Sequence, residues 1–394
     1  MSNFVFLRPT KIVFENNAEE QTGAQLESFG ATKVLIHYGS ERVIKTGLMK
    51  KITDSMDACG IEYAFLGGVV PNPRLSKVQE GVDICKKEGI DFILAVGGGS
   101  VIDSTKAMAL GAKYDGDVWD IFEKKAVATA ALPIGCVLTI PAAGSEMSTG
   151  SVITKDEGML KRDYGSDLIA SKFSILDPLL THTLPKSETV NGIVDIIMHT
   201  LERYFHGCED FDITDSISEG LLKSVMRNGL ILMEDPANAA ARESIMWSAT
   251  LSHNNLTGCG SGGGDWSTHN IEHELSGLFD VAHGAGLSSV WGSWARYVLD
   301  SNPHRLAKFA VNVMGVAPLA TENETGLAGI VAMEEYFAGI GAPISISQLL
   351  GGKEVSDEEI DFMARSATHF ETRTFGAMKK LGKDDIAKIY TMAK

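Results

Sequence analysis

DFILAVGGGSVIDSTKAMAL, Asp91–Leu110, is the stretch on which the reading of the fold turns. Every residue from Phe92 to Val96 is apolar, as a strand must be when helices cover both faces of its sheet. Three glycines end the run, and Val101–Leu110 then shows helical periodicity. Outward from this core, KVLIH (Lys33–His37), EYAFL (Glu62–Leu66) and VLTI (Val137–Ile140) read as further strands. Leu48–Ala58 and Ser76–Lys87 read as helices, with Gly60, Gly89 and Gly111 placed as C-terminal caps. Strand and helix alternating at this rhythm predict an α/β domain with a parallel, Rossmann-like sheet, whose ligands bind at the carboxyl ends of the strands.

After Leu184 the strand pattern stops. Ser187–Phe205, Asp215–Met233, Ala239–Asn255, Pro303–Met314, Thr325–Ile340, Ser356–Thr368 and Lys383–Ala393 all read as helices, one of them headed by a capping box from Ser356 to Glu359. The expected organisation is therefore an α/β nucleotide-binding domain over 1–184 and an all-helical domain over 185–394. The join is flanked by Pro178 and Pro185, where few long elements cross.

A chain of 394 residues suits two domains, and its apolar content of 44% and charged content of 22% are those of an ordinary globular protein. The formal net charge of −16 repels a phosphate backbone, so nucleic acid is not an expected partner, and any bound phosphate must be held by local amides. Five scattered cysteines without a C-x-x-C pair fit a reducing, cytoplasmic setting. The start is interrupted by Arg8, Pro9 and Lys11 and does not resemble a secretory signal; Val127–Gly144, the longest apolar run, is broken by Pro133, Gly135 and Pro141, so no membrane anchor is expected.

Two stretches carry chemistry. In Gly97-Gly98-Gly99-Ser100 the backbone can approach an anion without Cβ interference, and the following helix adds its unpaired N–H groups and positive dipole end. The run is neither G-x-G-x-x-G nor a Walker A motif, and the simpler alternative is a plain strand-to-helix turn. A second small-residue loop, Pro141–Glu146, follows the next strand and is placed to close over the same ligand. In the helical half, Asp195 and His199 stand one turn apart on one helix face, and His269, His273 and His283 follow about seventy residues later. One carboxylate with neutral imidazoles suits ferrous iron or zinc rather than calcium or magnesium. Spacing leaves open which of the three later histidines are ligands.

These motifs, taken together and in order, resemble the iron-containing (group III) alcohol dehydrogenases, and most closely their NADPH-dependent butanol dehydrogenase and aldehyde reductase branch. The resemblance spans nearly the whole chain: Val70–Pro73, GGGSVID at Gly97–Asp103, Gly144-Ser145-Glu146, Asp177-Pro178 with Thr181 to Pro185, GIVDIIMHTLE at Gly192–Glu202, and DWSTHNIEHELSG at Asp265–Gly277 closing with His283-Gly284. It implies that Asp195, His199, His269 and His283 hold the metal and that His273 faces substrate and nicotinamide as a proton relay. It implies cofactor contacts from Gly97, Gly98, Gly99, Ser100, Asp103, Thr139, Ser145 and Lys161, in an architecture shared with dehydroquinate synthase. One departure is Ala143, where the family usually has threonine. After the first core strand, Gly39 and Ser40 stand where NAD-preferring relatives carry an aspartate, which favours NADP over NAD; Glu41, one residue on, reverses that choice if it turns inward.

The expected reaction is hydride transfer between NADPH, held in a cleft between the domains, and a small primary alcohol or aldehyde, in a homodimer. Two alternatives are a metal-dependent cyclase-lyase of the dehydroquinate synthase type and a nucleotide- and metal-binding protein without activity. The first needs basic residues around the metal, and Asp195–Phe205 with Asp265–Phe279 supply only Arg203 as a permanent cation. Trp247, Trp266 and Phe279 are candidates for pocket walls.

Overall fold

The computed structural model describes residues 2–394 and divides into two compact units, one of Leu7–Leu184 and the other of Pro185–Lys394 with the residues up to Phe6. The N-terminal segment thus groups with the helical unit rather than with the α/β unit it precedes.

In the α/β unit, strands β1 (Lys11–Phe14), β2 (Lys33–Tyr38), β3 (Glu62–Leu66), β4 (Phe92–Gly97), β5 (Ile134–Leu138) and β8 (Phe173–Leu176) form one sheet in the order β1-β8-β5-β4-β2-β3. Every pairing in it is parallel. β6 (Gly150–Lys155) and β7 (Leu160–Gly165) make a separate antiparallel hairpin. Side chains alternate across the sheet: Val34, Ile36, Phe92, Leu94 and Val96 enter the core on one face, Leu35 and Ile93 that on the other. Burial on both sides explains why Phe92–Val96 carries no polar residue. β5 begins at Ile134, three residues ahead of the expected strand, because Pro133 can supply the carbonyl that Ile93 N bonds but no N–H of its own.

The chain runs from β2 outward to β3, returns across β2 to β4, and then proceeds the opposite way through β5 to β8. The direction reverses between β2 and β4, which makes the carboxyl ends of these two strands the topological switch point, the crevice where open α/β sheets bind ligands. Tyr38 is in register with Val96, so Gly39-Ser40 and Gly97–Ser100 emerge side by side.

The helical unit packs its long helices around a single apolar core that includes Ile193, Ile197, Leu201, Leu275, Leu287, Trp291, Trp294 and Phe309. Two helices absent from the sequence reading as complete elements, Ser267–Phe279 and His283–Val298, lie at its centre. A Cβ at Gly284 would stand 2.2 Å from the carbonyl oxygen of Asn191, so this glycine lets the His283–Val298 helix press against the Lys186–Tyr204 helix. Among the described residues, no helix is long and apolar enough to cross a membrane.

Candidate functional site

The Lys186–Tyr204 helix presents Asp195 and His199 on one face, both about 95% buried. His269 comes from the first turn of the Ser267–Phe279 helix, and His283 from the first residue of the next. The three imidazoles turn their Nε2 atoms toward one carboxylate oxygen. Asp195 Oδ1 lies 3.4 Å from His199 Nε2, 3.7 Å from His283 Nε2 and 3.9 Å from His269 Nε2. These separations exceed a good hydrogen bond, but two donors each about 2.1 Å from a tetrahedral ion stand roughly 3.4 Å apart.

The outer nitrogens give the reason for this orientation. His269 Nδ1 donates to Glu202 Oε1 at 2.9 Å, and the same oxygen accepts the His269 backbone N–H at 2.9 Å. His283 Nδ1 donates to Glu272 Oε2 in a very short contact. Both glutamates are at least 98% buried. A proton held on Nδ1 leaves Nε2 with its lone pair exposed, the tautomer a metal ligand needs, and carboxylates behind ligating imidazoles do this work in metal sites generally. Among the described residues, none hydrogen-bonds His269 Nε2, although that atom is buried. Burial, reinforced by the neighbouring imidazoles and Arg203, holds His199 neutral well below its ordinary range. The donor set therefore fits a divalent cation.

Small residues admit these glutamates. A Cβ at Gly286 would meet Glu272 Oε1 at 2.7 Å, and one at Gly264 would meet the Glu202 carbonyl oxygen at 2.5 Å. Trp266, in the left-handed region at φ 62°, covers the cluster, its ring 5.3 Å from that of His269 and 5.8 Å from that of His199. Arg203 lies 4.7 Å above the indole and donates to the His199 and Ser252 carbonyls. Trp247, by contrast, is exposed, and half-buried Phe279 lies beneath Lys353.

His273 stands beside the centre, its ring 5.7 Å from that of His283 and 6.4 Å from that of His269. A fifth imidazole was missed by sequence reading. His253, the last residue of the Ala239–His253 helix, has its ring 4.0 Å from that of His199, with its Nδ1 3.3 Å from His199 Nε2. A single histidine in SHNN sits at no ligand spacing from another, so only the fold reveals it.

In the α/β unit the glycine loop caps β4, and the Gly99–Gly111 helix begins directly beyond it. Gly98 is extended at φ −95°, ψ −166°, so no positive φ demands glycine here; space does. A Cβ on Gly97 would stand 2.5 Å from Val101 Cγ2 and one on Gly98 3.1 Å from Ile140 Cβ, whereas one on Gly99 meets only Ala143 at 3.9 Å. Thr139 N bonds Gly97 O, which sets the end of β5 beside the loop.

Three residues implied as cofactor contacts hold the framework. Asp103 accepts from Ser145 Oγ at 2.5 Å and from Val152 N at 2.9 Å. Lys106, fully buried, donates to the carbonyls of Ser145, Ser148 and Gly150, pinning the second loop to the helix. Its pKa is lowered to about 8 by burial, against the pull of Asp103. Lys161 Nζ donates to Asn72 Oδ1 at 3.0 Å. At the end of β2, Ser40 and Glu41 are exposed, while Arg42 donates to the Thr183 carbonyl and hydroxyl.

Comparison with known proteins bears on both halves. The family described as iron-containing alcohol dehydrogenase matches residues 9–178, and the C-terminal description of the Fe-containing alcohol dehydrogenase family matches residues 189–394. A probable NADH-dependent butanol dehydrogenase 1 of Bacillus subtilis is 42% identical over 390 residues, 99% of each chain. The NADPH-dependent aldehyde reductase YqhD of Escherichia coli is 33% identical over 351 residues, 88% of this chain and 89% of that one. The crystal structure of an NADH-dependent butanol dehydrogenase A from Thermotoga maritima superimposes with a TM-score of 0.95 at 40% identity, covering 100% of this chain and 99% of that one.

Proposed function

The chain belongs to the iron-containing alcohol dehydrogenase family, and on that premise we propose that it is an NAD(P)-linked alcohol dehydrogenase and aldehyde reductase acting on small primary alcohols and aldehydes. The observation that carries the reading is the convergence of His199, His269 and His283 on Asp195 Oδ1, two of them backed by buried glutamates. In this reading those four side chains hold ferrous iron, with zinc as the other ion the donor set accepts. The bound cation supplies Lewis acidity toward the substrate oxygen, and the nicotinamide supplies or takes the hydride.

The chain's own residues do the rest. Glu202 and Glu272 fix the tautomers of His269 and His283, so their Nε2 atoms stay available whatever the occupancy. Trp266 shields the imidazoles from water on one side. In this reading half-buried His273 is not one of the four donors, and with its ring 5.7 Å from that of His283 it suits a group that hands a proton to or from the substrate. Gly97, Gly98, Gly99 and Ser100 offer backbone amides and a helix N-terminus to the pyrophosphate. Thr139 flanks that loop, while Asp103 and Ser145 keep its partner loop in place.

We propose NADPH as the preferred dinucleotide and NADH as the alternative. Ser40 and Gly39 bring no acid to the switch point, Glu41 is exposed at the head of a helical turn, and Arg42 adds a cation next to it. A cyclase-lyase acting on a phosphorylated substrate is disfavoured, because Arg203 is engaged by two carbonyls and the Trp266 ring. The five free cysteines support a reducing compartment, and exposed Val5, Phe6 and Leu7, with the edge strand β1, support a homodimer. The test is anaerobic reconstitution with ferrous iron or zinc, followed by short-chain aldehydes with NADPH and NADH. Aldehyde-dependent oxidation with higher kcat/KM for NADPH is expected. No oxidation of either dinucleotide with metal restored overturns the enzymatic reading, and a higher value for NADH overturns the cofactor preference alone.

A further inference from the structure

We propose that Lys106 is a positioning residue of the dinucleotide site: its buried ammonium fixes the loop from Pro141 to Gly150 beside the glycine loop, so that dinucleotide binds only while Lys106 is charged. The proposal rests on the reading that places the pyrophosphate at Gly97–Ser100. Lys106 Nζ donates to three main-chain carbonyls, those of Ser145 at 2.7 Å, Gly150 at 2.8 Å and Ser148 at 3.1 Å, with the Ser145 and Ser148 hydroxyls at 3.0 and 3.1 Å. Oxygens gathered in this way turn the negative ends of three peptide dipoles toward one nitrogen. An ammonium has three N–H groups for them; a neutral amine has two, and turns a lone pair on the third carbonyl. The Ser145 hydroxyl passes the contact on to Asp103, which supplies a countercharge from the same helix as Lys106. The approach to this loop runs along the glycine loop: Thr139 N bonds Gly97 O, and a Cβ on Gly98 or Gly99 would first meet Ile140 or Ala143.

The consequence is a pH dependence that belongs to dinucleotide binding. Burial brings Lys106 down to about 8, so its charge holds the loop below that pH and is lost as pH rises through it. Asp103 acts on Lys106 from its own helix, Glu146 from the loop and Cys136 from β5. Of the other elements packed on this helix, β2 brings His37, which bonds Ser104, the β6–β7 hairpin brings Lys161, which acts on Asp103, and the Leu75–Glu88 helix brings Cys85. Burial pushes both thiols up to about 12 and lowers His37 to about 4, so none of these three loses or gains its proton near pH 8.

The test is the Kd for NADPH and for NADH, read by nicotinamide fluorescence on the full-length, chelator-stripped chain from about pH 7 to about pH 9.5, beside the Kd for cobalt(II). In the unmodified chain the Kd for both dinucleotides is expected to rise by about 10-fold per pH unit above about 8, because only the charged fraction binds. Lys106→Met is expected to bind both at least ~10-fold more weakly near pH 7 and to show no further alkaline loss, with its cobalt affinity unchanged. A residue that served only general stability would move the cobalt and dinucleotide affinities together. A flat profile in the unmodified chain, or an alkaline loss with NADPH alone, overturns the proposal, and these readings need no variant to fold. Tight binding by Lys106→Met, or an alkaline loss that survives in it, overturns the proposal as well. If the unmodified chain binds neither dinucleotide at any pH, the reading of the glycine loop itself falls, and the two failures are distinguishable.

Discussion

The imidazole cluster of the helical unit works through atoms its side chains supply, while the Gly97–Ser100 loop of the α/β unit works through atoms its side chains lack. The first is buried, charged and interlocked: Asp195, Glu202 and Glu272 place three carboxylates among the imidazoles of His199, His269 and His283, so removing one partner strands another. The second is neutral and made of backbone, and it fails by added volume. Substitutions should therefore separate the two regions by kind of damage, chemical in one and steric in the other.

The largest effect is expected where the cluster loses its shared oxygen. Asp195→Ala or His269→Ala should abolish metal binding and lower turnover by at least ~10³-fold, as read by metal analysis beside a steady-state assay. Retained turnover in a metal-free His269→Ala protein would end the comparison, since the cluster would then have no chemical role. Next in size is His273→Gln, expected to lower kcat by ~10²–10⁴-fold with metal content unchanged if His273 serves, as proposed, as a proton relay beside His283 rather than as a ligand. Loss of metal in that variant would move His273 into the cluster. Glu202→Gln and Glu272→Gln should leave a folded protein whose metal affinity falls by ~10–100-fold, measured by chelator competition.

On the steric side, Gly99→Ala sharpens the contrast. Its methyl meets only Ala143 at 3.9 Å, so thermal stability should hold, while the KM for the dinucleotide rises about 10-fold as the methyl intrudes on the pyrophosphate. Gly97→Ala, which drives a methyl to 2.5 Å from Val101 Cγ2, should instead cost about 1–3 kcal/mol of stability. Equal destabilisation of both would remove the case for a ligand above Gly99.

The smallest expected effect on activity comes from His37, which bonds the Leu66 carbonyl and Ser104 Oγ inside the α/β unit. Burial lowers its pKa to about 4 from 6.5. The folded state therefore favours the neutral form, and the stability His37 contributes is complete above about pH 6.5 and is lost as pH falls through about 4. The window corresponds to roughly 3 kcal/mol. Denaturant melts across this range should show the loss in the native chain and a flatter profile in His37→Asn.

Sequence made most of the architecture legible where period and punctuation agreed. Leu48–Ala58 and Lys383–Ala393 form helices with the expected bounds, and Lys33–His37 and Glu62–Leu66 lie in strands where KVLIH and EYAFL placed them. β1 and β8 escaped because each spans four residues, too few for a period to register, and β8 gains its partners, β1 and β5, only in the folded sheet. The β6–β7 hairpin mixes Lys155, Lys161, Arg162 and Asp163 into its strands, and Lys161 is buried there by its bond to Asn72, a partner the local pattern does not reveal. Within the site, the i, i+4 pairs Asp195/His199 and His269/His273 were readable as spacing. Three other features were not: the place of His253, the glutamates that set the tautomers, and the internal bonding of Asp103, Ser145 and Lys161. Each depends on a neighbour between 42 and 89 residues away or on another helix.

The most direct test is a ferrous titration of the chelator-stripped chain under anaerobic conditions, following bound iron and aldehyde-dependent NADPH oxidation together. One iron per chain, with turnover rising in proportion and neither occurring in Asp195→Ala, is the expected result. Full turnover before any iron is added, or equal iron binding by Asp195→Ala, would contradict it.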